Sequence, residues 1–290
     1  MTQRPILIAG PTASGKSELA MTLAERHGGI VINADSMQVY RELALLTARP
    51  DAADEARVPH ALYGHVSVRE PYSVGRWLED VRGALDRARA HGRRPVIVGG
   101  TGLYFQALLE GLSPVPVIAE DIRGHWRAEA TRLGAAELHA VLAAKDPEMG
   151  ARLRPSDPQR VTRALEVLEA TGVSLAVWQT RKGTPLLVAE ETERLLVLKD
   201  RQELFRRCDA RFDRMLAAGG LAEAQRLKAM GLDAALPAMR AVGVRPLLQM
   251  LAGDVDEAAA IARAKQDTRH YVRRQLTWIN RHMSAWKRYI

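Results

Sequence analysis

The sequence predicts an α/β protein: a parallel sheet covered by helices, with an inserted all-helical subdomain and a helical C-terminus. Short apolar runs typical of buried parallel strands alternate with segments of helical periodicity. The predicted strands are Ile6–Ala9, Ile30–Asn33, Pro95–Val98 and Leu195–Leu198, and the predicted helices are Ser17–His27, Val74–His91 and Thr101–Glu110. Residues 114–193 contain no convincing strand. We therefore assign residues 1–113 and 194–290 to the core and residues 114–193 to the insertion.

Composition indicates the cellular compartment in which the protein functions. Its 290 residues are 47% hydrophobic, enough to bury a large core, and no run of about 18 apolar residues predicts a transmembrane helix. The N-terminus lacks the basic and then apolar pattern of a signal peptide. The single cysteine, Cys208, allows neither an internal disulfide nor a cysteine-based zinc site. These observations favour a cytoplasmic protein without a membrane partner.

The first predicted strand leads into a glycine-rich loop, Gly10-Pro-Thr-Ala-Ser-Gly15-Lys16-Ser17. The pattern G-x-x-x-x-G-K-[ST] between a strand and a helix is the P-loop, whose backbone N–H groups cradle two linked phosphates. Lys16 would neutralise those phosphates, and the Ser17 hydroxyl could reach Mg²⁺. The strand before the loop and the helix after it disfavour the alternative, a glycine turn without a ligand. We therefore predict a P-loop NTPase-like core that binds a diphosphate.

Polar residues follow the next two strands. Asp35 comes two residues after Asn33, and Thr101 follows Gly99-Gly100. Because the carboxyl ends of parallel strands meet at one edge of the sheet, both are predicted to lie near the P-loop. Asp35 could hold Mg²⁺, act as a general base or cap a following helix, and Thr101 could equally be a helix cap. The third strand does not end in an acid, although a typical P-loop NTPase has such an acid to hold Mg²⁺.

The C-terminal helix concentrates the net charge of +8. Residues 263–290 carry eight Lys or Arg and one acid, Asp267. Arg274, Arg281 and Arg288 share one side of the predicted helix, seven residues apart. Such a side is either a solvated surface or a footprint for a polyanion, and the scarcity of acids favours the polyanion. The apolar stripe predicted to face the core is Val272, Leu276, Ile279, Met283, Trp286 and Ile290.

These features leave two classes of function. One is a small-molecule kinase or a nucleic-acid-dependent ATPase that uses ATP at the P-loop. The other is a transferase whose diphosphate is a leaving group and whose second substrate is a nucleic acid. Neither Asp35 nor Thr101 decides between the two classes by its spacing.

Five motifs, taken in order, carry a more specific resemblance. They are "GPTASGKS", "NADSMQVYR", "PVIVGGTGLYFQALLEGL", "DPQRVTRALEVLEATG" and "RRQLTWIN". Together they resemble the tRNA dimethylallyltransferases, also called tRNA isopentenyltransferases, from about Ile6 to Trp278. The resemblance implies transfer of a dimethylallyl group from dimethylallyl diphosphate to N6 of the adenine immediately 3′ of the anticodon, in tRNAs that read codons beginning with U. We expect a monomer that uses Mg²⁺.

The resemblance assigns catalytic roles to individual residues. An exocyclic adenine amine is a poor nucleophile, and Asp35 matches the family's proposed base for its proton. Lys16, the loop amides, Mg²⁺ held by Ser17, Thr101 and Arg211 would stabilise the leaving diphosphate. By spacing alone, Arg211 could equally be a solvated helix arginine. The residues assigned to the diphosphate are Gly10, Pro11, Thr12, Ala13, Ser14, Gly15, Lys16 and Ser17.

The resemblance also assigns tRNA contacts. A base inside an anticodon loop must be splayed out to reach such a site. Trp126, Trp178 and Trp278 could stack on bases, although packing is the favoured role for each. The residues assigned to tRNA are Asp35, Ser36, Met37, Gln38, Thr101, Arg123, Gln159, Arg160, Val161, Thr162, Arg163, Arg240, Ala241, Val242, Gly243, Val244 and Arg245, joined by Arg274 and Arg281 because of their charge.

Three positions depart from the family pattern. Ser17 replaces a usual Thr and keeps the hydroxyl. Leu46 stands where a "GTAKP" motif has glycine, and Val244 stands where an aromatic residue is common. The chain ends soon after the "TW" motif without the zinc finger of eukaryotic relatives, so a bacterial-type form is expected.

Overall fold

The computed structural model describes residues 4–289, and within them six parallel strands form one sheet. The order across the sheet is β3-β2-β4-β1-β5-β6, with β1 buried along its whole length. The strands are β1 Ile6–Ala9, β2 Gly29–Asn33, β3 His60–Ala61, β4 Arg94–Gly99, β5 Glu193–Val197 and β6 Lys287–Tyr289. All four predicted strands are present, and the α/β class is confirmed.

Helices follow the strands in the predicted alternation. The first four are α1 Lys16–His27, α2 Ala52–Arg57, α3 Val74–Ala90 and α4 Gly102–Glu110. The next four are α5 Glu120–Lys145, α6 Pro147–Arg152, α7 Pro158–Thr171 and α8 Leu175–Thr180. The last four are α9 Arg201–Met215, α10 Leu221–Ala229, α11 Val244–Ala252 and α12 Glu257–His282. Within the described residues, no helix has the length and apolarity needed to cross a membrane.

The chain divides into two compact units. The α/β unit comprises residues 1–109 and 186–290, and the inserted unit runs from Glu110 to Pro185. The sequence placed the corresponding boundaries at 114 and 193. The segment between Leu186 and β5 belongs to the α/β unit, where the Leu186 N–H donates to the Leu108 carbonyl at 3.0 Å.

The α/β unit buries both faces of its sheet. Side chains alternate along β1, so Ile6 and Ile8 pack on the face covered by α1, with Leu19 among their neighbours. Leu7 faces the other side, in a larger cluster that includes Trp77 of α3. A sheet covered on both faces is the arrangement in which continuous apolar strands are stable.

The inserted unit is helical and has a core of its own. Helices α5 to α8 enclose buried side chains that include Trp126, Leu138 and Leu142 of α5 and Leu165 of α7. Asp157 caps α7 by accepting the N–H of residue 160 at 3.3 Å. The predicted helical character of this region is therefore observed.

The last helix ends earlier than its apolar stripe predicts. Helix α12 ends at His282, yet Trp286 stays buried and packs edge-on against Phe105, with ring centroids 5.4 Å apart. The chain then forms β6 beside β5, which pairs backbone groups that a sheet edge would leave open. Arg288 therefore lies on an exposed strand and not on a helix. Ile290 lies outside the described residues.

Candidate active site

The sheet register brings three loops together at one edge. Ala9 pairs with Gly99 and Asn33 pairs with Val98, so β1, β2 and β4 end side by side. The P-loop follows β1, and Asp35 and Thr101 follow β2 and β4. This is the edge at which parallel α/β sheets bind ligands.

The P-loop is fixed by hydrogen bonds to its surroundings. The Lys16 ammonium donates to the Pro11 carbonyl at 3.1 Å, and the Ser14 N–H donates to the same carbonyl at 3.2 Å. The Thr12 N–H donates to Oε1 of Gln275 in α12 at 2.9 Å. The Thr12 amide is therefore used by the fold, which leaves other amides of the loop for the phosphates that the sequence predicts there.

The protein environment disfavours the charged form of the Lys16 side chain. Burial lowers the pKa of Lys16 from 10.5 to about 8, the Asp35 carboxylate opposes the fall, and the Arg211 guanidinium adds to it. Burial disfavours the charged form because the ammonium loses water. A diphosphate bound at the loop would supply the missing anionic partner, so the site is poised for an anion.

Asp35 is held in a turn, and no helix begins after it. Its Oδ1 accepts the Met37 N–H at 2.9 Å, while its own N–H donates to Oδ1 of Asn33 at 2.8 Å. Residues 36–39 form turns. The helix-cap alternative for Asp35 is therefore wrong, because the carboxylate closes a turn of the Asx type. One of its oxygens remains for a ligand, since Asp35 lines a cavity.

Thr101 joins the ends of β4 and β2. Its hydroxyl accepts the Ser36 N–H at 3.0 Å and donates to the Ser36 hydroxyl at 3.3 Å. Its N–H donates to the Ala34 carbonyl at 3.3 Å. Gly99 allows this approach, since a Cβ at that position would lie 2.0 Å from the Ala34 oxygen. Thr101 is thus fixed next to the Asp35 turn.

Arg211 is not a solvated helix arginine. It lies on α9, is half-buried and lines the same cavity as Asp35. Burial lowers the pKa of Arg211, and the Cys208 and Asp35 groups oppose the fall. A guanidinium remains protonated in proteins, so Arg211 brings a fixed cation to the cavity.

The cavity has about 160 Å³ of free space and lies entirely within the α/β unit. Its polar lining includes Thr12, Asp35, Arg211, Tyr271 and Arg274. Its apolar lining includes Met37, Leu46, Phe212, Met215 and Val242. Charged and apolar side chains thus line one space.

Two of the polar residues at this site were missed from the sequence. Tyr271 lines the cavity, and burial and the Asp35 carboxylate raise the pKa of its phenol, which keeps it a hydrogen-bond donor. Gln275 is 5% exposed and binds the P-loop. A polar residue between Val272 and Ile279, at the spacing of a buried stripe, was the available sign of an internal role.

Comparisons with known proteins identify the family. A family model described as IPP transferase matches residues 38–282, most of the chain, and one described as isopentenyl transferase matches residues 4–58. The chain belongs to the IPP transferase family. A relative named tRNA dimethylallyltransferase from Methylocella silvestris is 55% identical over 94% of this chain and 90% of its own. Another of that name from Beijerinckia indica is 52% identical over 97% and 94%.

Solved structures of the family share the fold. The full-length tRNA isopentenylpyrophosphate transferase from Bacillus halodurans superposes with a TM-score of 0.70, at 31% identity, over 99% of this chain and 89% of its own. A eukaryotic dimethylallyltransferase described as acting on tRNA gives a TM-score of 0.79 at 27% identity, over 96% of this chain and 70% of its own. The P-loop NTPase-like core predicted from the sequence is confirmed.

Besides Asp35 and Arg274, five of the residues assigned to tRNA in this IPP transferase line the cavity. Four of them are half-buried or buried, and Arg240 is exposed. They come from the turn after Asp35 and from the segment before α11. These residues are Ser36, Met37, Arg240, Ala241 and Val242. The structure thus brings two distant motifs to one opening.

Other assigned residues of the α/β unit pack inside it. The Gln38 amide donates to two carbonyls of residues 47–48, each at 2.9 Å, and so holds the neighbouring loop. Gly243 and Val244 are buried, with Val244 fully so. The Val244 side chain packs into the core and does not reach the surface of the free protein. Arg245 is exposed.

The two arginines assigned on α12 differ. Arg274 lines the cavity, with its guanidinium 5.5 Å from the centroid of the Tyr271 ring. Arg281 is exposed, and within residues 4–289 no carboxylate lies within ion-pairing distance of it. Arg281 therefore presents an uncompensated charge to solvent.

In the inserted unit, the assigned arginines are paired with acids of the same helices. Each pair is three residues apart and partly or fully exposed. The pairs are Arg123–Glu120 at 3.3 Å, Arg160–Asp157 at 3.3 Å and Arg163–Glu166 at 3.2 Å. In the free protein these three arginines are therefore compensated by acids of the same unit, and the acid of the third pair, Glu166, is buried.

The rest of the "QRVTR" segment is divided by burial. Val161 is fully buried in the core of the inserted unit, so its side chain does not reach the surface of the free protein. Gln159 is exposed on the first turn of α7. The Thr162 hydroxyl donates to the Pro158 carbonyl at 2.8 Å. Exposed Gln159 and the flanking arginines form the accessible part of this segment.

The three tryptophans considered for stacking on bases have protein partners. Trp126 is buried and donates its indole N–H to Glu169 at 2.8 Å. Trp278 stacks on His282, with ring centroids 4.1 Å apart. A guanidinium lies 4.3 Å above the centroid of the Trp178 ring. Packing within the protein is the observed role of each.

Proposed function

We propose that the protein transfers a dimethylallyl group from dimethylallyl diphosphate to N6 of the adenine immediately 3′ of the anticodon, in tRNAs that read codons beginning with U. The products are N6-(dimethylallyl)adenosine in tRNA and free diphosphate. It would work as a monomer in the cytoplasm. The names of the relatives support the tRNA and the donor, and the rest follows from the resemblance and the site chemistry.

One observation carries the proposal: two desolvated cations, Lys16 of the P-loop and Arg211 of the cavity, both interact electrostatically with the Asp35 carboxylate. Lys16 and Arg211 lose charge stability through burial, and Asp35 is the anion that partly restores it for both. A leaving diphosphate would be attracted to the cations, while a proton-bearing amine would be attracted to the carboxylate. The absence of an acid at the end of β4 argues against the usual metal-acid arrangement of an ATPase.

The reaction proposed is a substitution at carbon. The adenine N6 forms a bond to C1 of the dimethylallyl group as the bond from C1 to the diphosphate oxygen breaks. The amine proton passes to the Asp35 carboxylate, whose orientation is fixed by the Met37 N–H. The electron pair of the broken bond leaves with the diphosphate. Atoms and charge balance without ATP or a redox partner.

The leaving diphosphate gathers negative charge, and preorganised donors lower the barrier most where that charge develops. Lys16 supplies one cation and Arg211 another, both in a setting with little water to screen them. The Thr101 hydroxyl is already anchored to Ser36 and lies at the adjoining strand end. The groups expected to hold the diphosphate therefore need little rearrangement.

The residues at the loop fit Mg²⁺. Ser17 is exposed in the first turn of α1, next to Lys16. In the described part of the chain, no cluster of three or more His, Cys, Asp or Glu could hold a metal by itself. Mg²⁺ often binds through one or two protein oxygens, several waters and substrate phosphates, so a lone hydroxyl suits it. When bound, the ion would neutralise part of the diphosphate charge.

The defining experiment incubates the purified protein with labelled dimethylallyl diphosphate and unmodified tRNA, without ATP. Label should move to tRNA, and nuclease mapping should place it on the adenosine 3′ of the anticodon. A tRNA that reads codons beginning with another base is the matched control. A parallel incubation with γ-labelled ATP and a small-molecule panel tests the kinase class, and strict dependence on ATP hydrolysis would reject the proposal.

A further inference from the structure

Gln275 is a buried polar side chain that the proposed reaction does not use directly. It lies on α12 and is 5% exposed, between Val272 and Ile279 on the helix face that packs into the α/β unit. Burying a primary amide is unfavourable unless its donor and acceptor are both satisfied. The partners of Gln275 therefore indicate what it does.

Its two ends bind two different loops of the site. Oε1 accepts the Thr12 N–H of the P-loop at 2.9 Å, and Nε2 donates to the Gly100 carbonyl at 2.9 Å. Gly100 directly precedes Thr101. Glycine is required at position 100 for this contact, because a Cβ atom there would lie 2.3 Å from Nε2 of Gln275. One amide thus links the P-loop to the turn that carries Thr101.

Gln275 links the P-loop and the Thr101 turn just beyond the point where the strands that precede them, β1 and β4, stop pairing. The last register pair between β1 and β4 is Ala9 with Gly99. Beyond it the chains diverge into separate loops, and a difference of about 1 Å between them would change the angle at which Thr101 meets the diphosphate. Only a side chain that both accepts and donates can join an N–H to a carbonyl without leaving one unpaired.

We propose that Gln275 is a positioning residue that holds the P-loop and the Thr101 turn in one fixed register, so that the loop and the hydroxyl act on the same diphosphate. The inference rests on the proposed function. Gln275 touches no reacting atom; it acts through Thr12 and Gly100. The apolar stripe of α12 therefore includes one polar position with a specific task.

The test uses Gln275→Met, which keeps the side-chain length and removes both hydrogen bonds. Gln266→Met is the matched control, because Gln266 is exposed on the same helix. Single-turnover transfer from dimethylallyl diphosphate should slow by up to about 100-fold in Gln275→Met, the loss that a misplacement of about 1 Å causes. Inorganic pyrophosphate should bind more weakly, and tRNA affinity should be unchanged.

A role confined to stability is separated by a double-mutant cycle with Thr101→Ala. If Gln275 acts through the Thr101 turn, the double variant should lose little more than Thr101→Ala alone; additive losses would overturn the inference. Gln275→Asn, which keeps the amide but shortens its reach, replaces the Met variant if the latter does not fold. Native-like transfer in both Gln275 variants would also overturn it, whereas failure of the native protein to transfer label would reject the proposed function itself.

Discussion

The active site of the α/β unit and the inserted unit differ in how far their cations are paired with acids. At the candidate active site, Lys16 and Arg211 are half-buried and desolvated, and the Asp35 carboxylate partly offsets their charge. In the inserted unit, residues 110–185 hold ten Lys or Arg and ten Asp or Glu, so the net charge is zero. Six of its eight arginines are in ion pairs with acids of the same unit. The cations of the active site are therefore available to a ligand, whereas six of the ten cations of the insertion are already paired with an acid.

The cations of α12 and of the residues after it are intermediate: some form ion pairs and some do not. In its first half, Arg263, Lys265 and Arg269 pair with aspartates. In the described residues that follow, the cations at 273, 274, 281, 287 and 288 form no ion pair. Charge counted along a sequence does not distinguish paired from free cations, and the free ones set electrostatic attraction to a polyanion. We therefore expect effects to decrease from the cavity to α12 to the insertion.

The largest effect should come from Asp35→Asn. Asn keeps the Oδ1 that accepts the Met37 N–H, so thermal stability should stay near native, but it cannot take the amine proton. Transfer to tRNA should fall by about 10²–10⁴-fold, the usual contribution of a general base. Asp200→Asn at the N-cap of α9 is the control, since it removes the same charge outside the cavity. Near-native turnover in Asp35→Asn would exclude Asp35 as the base.

The next effect concerns pH and Lys16. Its pKa of about 8 in the free protein must rise when a diphosphate binds, because the anion favours the protonated amine. Affinity for pyrophosphate should therefore hold below pH 8 and fall above it, by about tenfold between pH 7 and pH 9. Calorimetry on native protein and Lys16→Met checks this, since the difference between them cancels titration of the ligand. Parallel pH profiles would show that Lys16 does not face the anion.

Sequence periodicity predicted the centre of the fold well and its edges poorly. The run at Ile6–Ala9 is apolar throughout, as expected of a strand in a sheet that is covered on both faces. His60–Ala61 pairs over two residues and leaves no periodic trace. Trp286 continues the α12 stripe by spacing, yet tertiary packing buries it after the helix has ended. Trp286 packs there against Phe105, a partner far away in the sequence.

The site was predicted where a motif fixes the backbone and missed where tertiary packing fixes the side chain. Lys16 and Asp35 follow strand ends, so the parallel sheet alone brings them together. Arg211 sits among other arginines of α9, and its direction into the cavity depends on how that helix packs. Gln275 and Tyr271 are similarly defined by contacts with loops distant in the chain.

A smaller effect is expected on α12. The double variant Arg274→Ala, Arg281→Ala should weaken tRNA binding and lower the slope of log affinity against log salt by about 0.7–0.9 for each phosphate that the protein no longer neutralises. Pyrophosphate affinity should change less than tRNA affinity in the double variant. The single variant Arg281→Ala should leave pyrophosphate affinity unaltered, because Arg281 does not line the cavity. Filter binding across a salt series checks the slope. An unaltered slope would assign these arginines to a solvated surface.

The smallest effect is expected in the insertion, from Arg160→Ala with Arg163→Ala. To contact a phosphate, Arg160 must leave Asp157 and Arg163 must leave Glu166, since both pairs are formed in the free protein. The released carboxylates then take up cations from solution, which offsets part of the counterion release that drives binding to RNA. The salt slope should therefore change less than in the α12 double variant, measured in the same assay with the same tRNA. Equal changes in the two variants would mean that the ion pairs do not persist in solution, and the contrast between the insertion and α12 would fail.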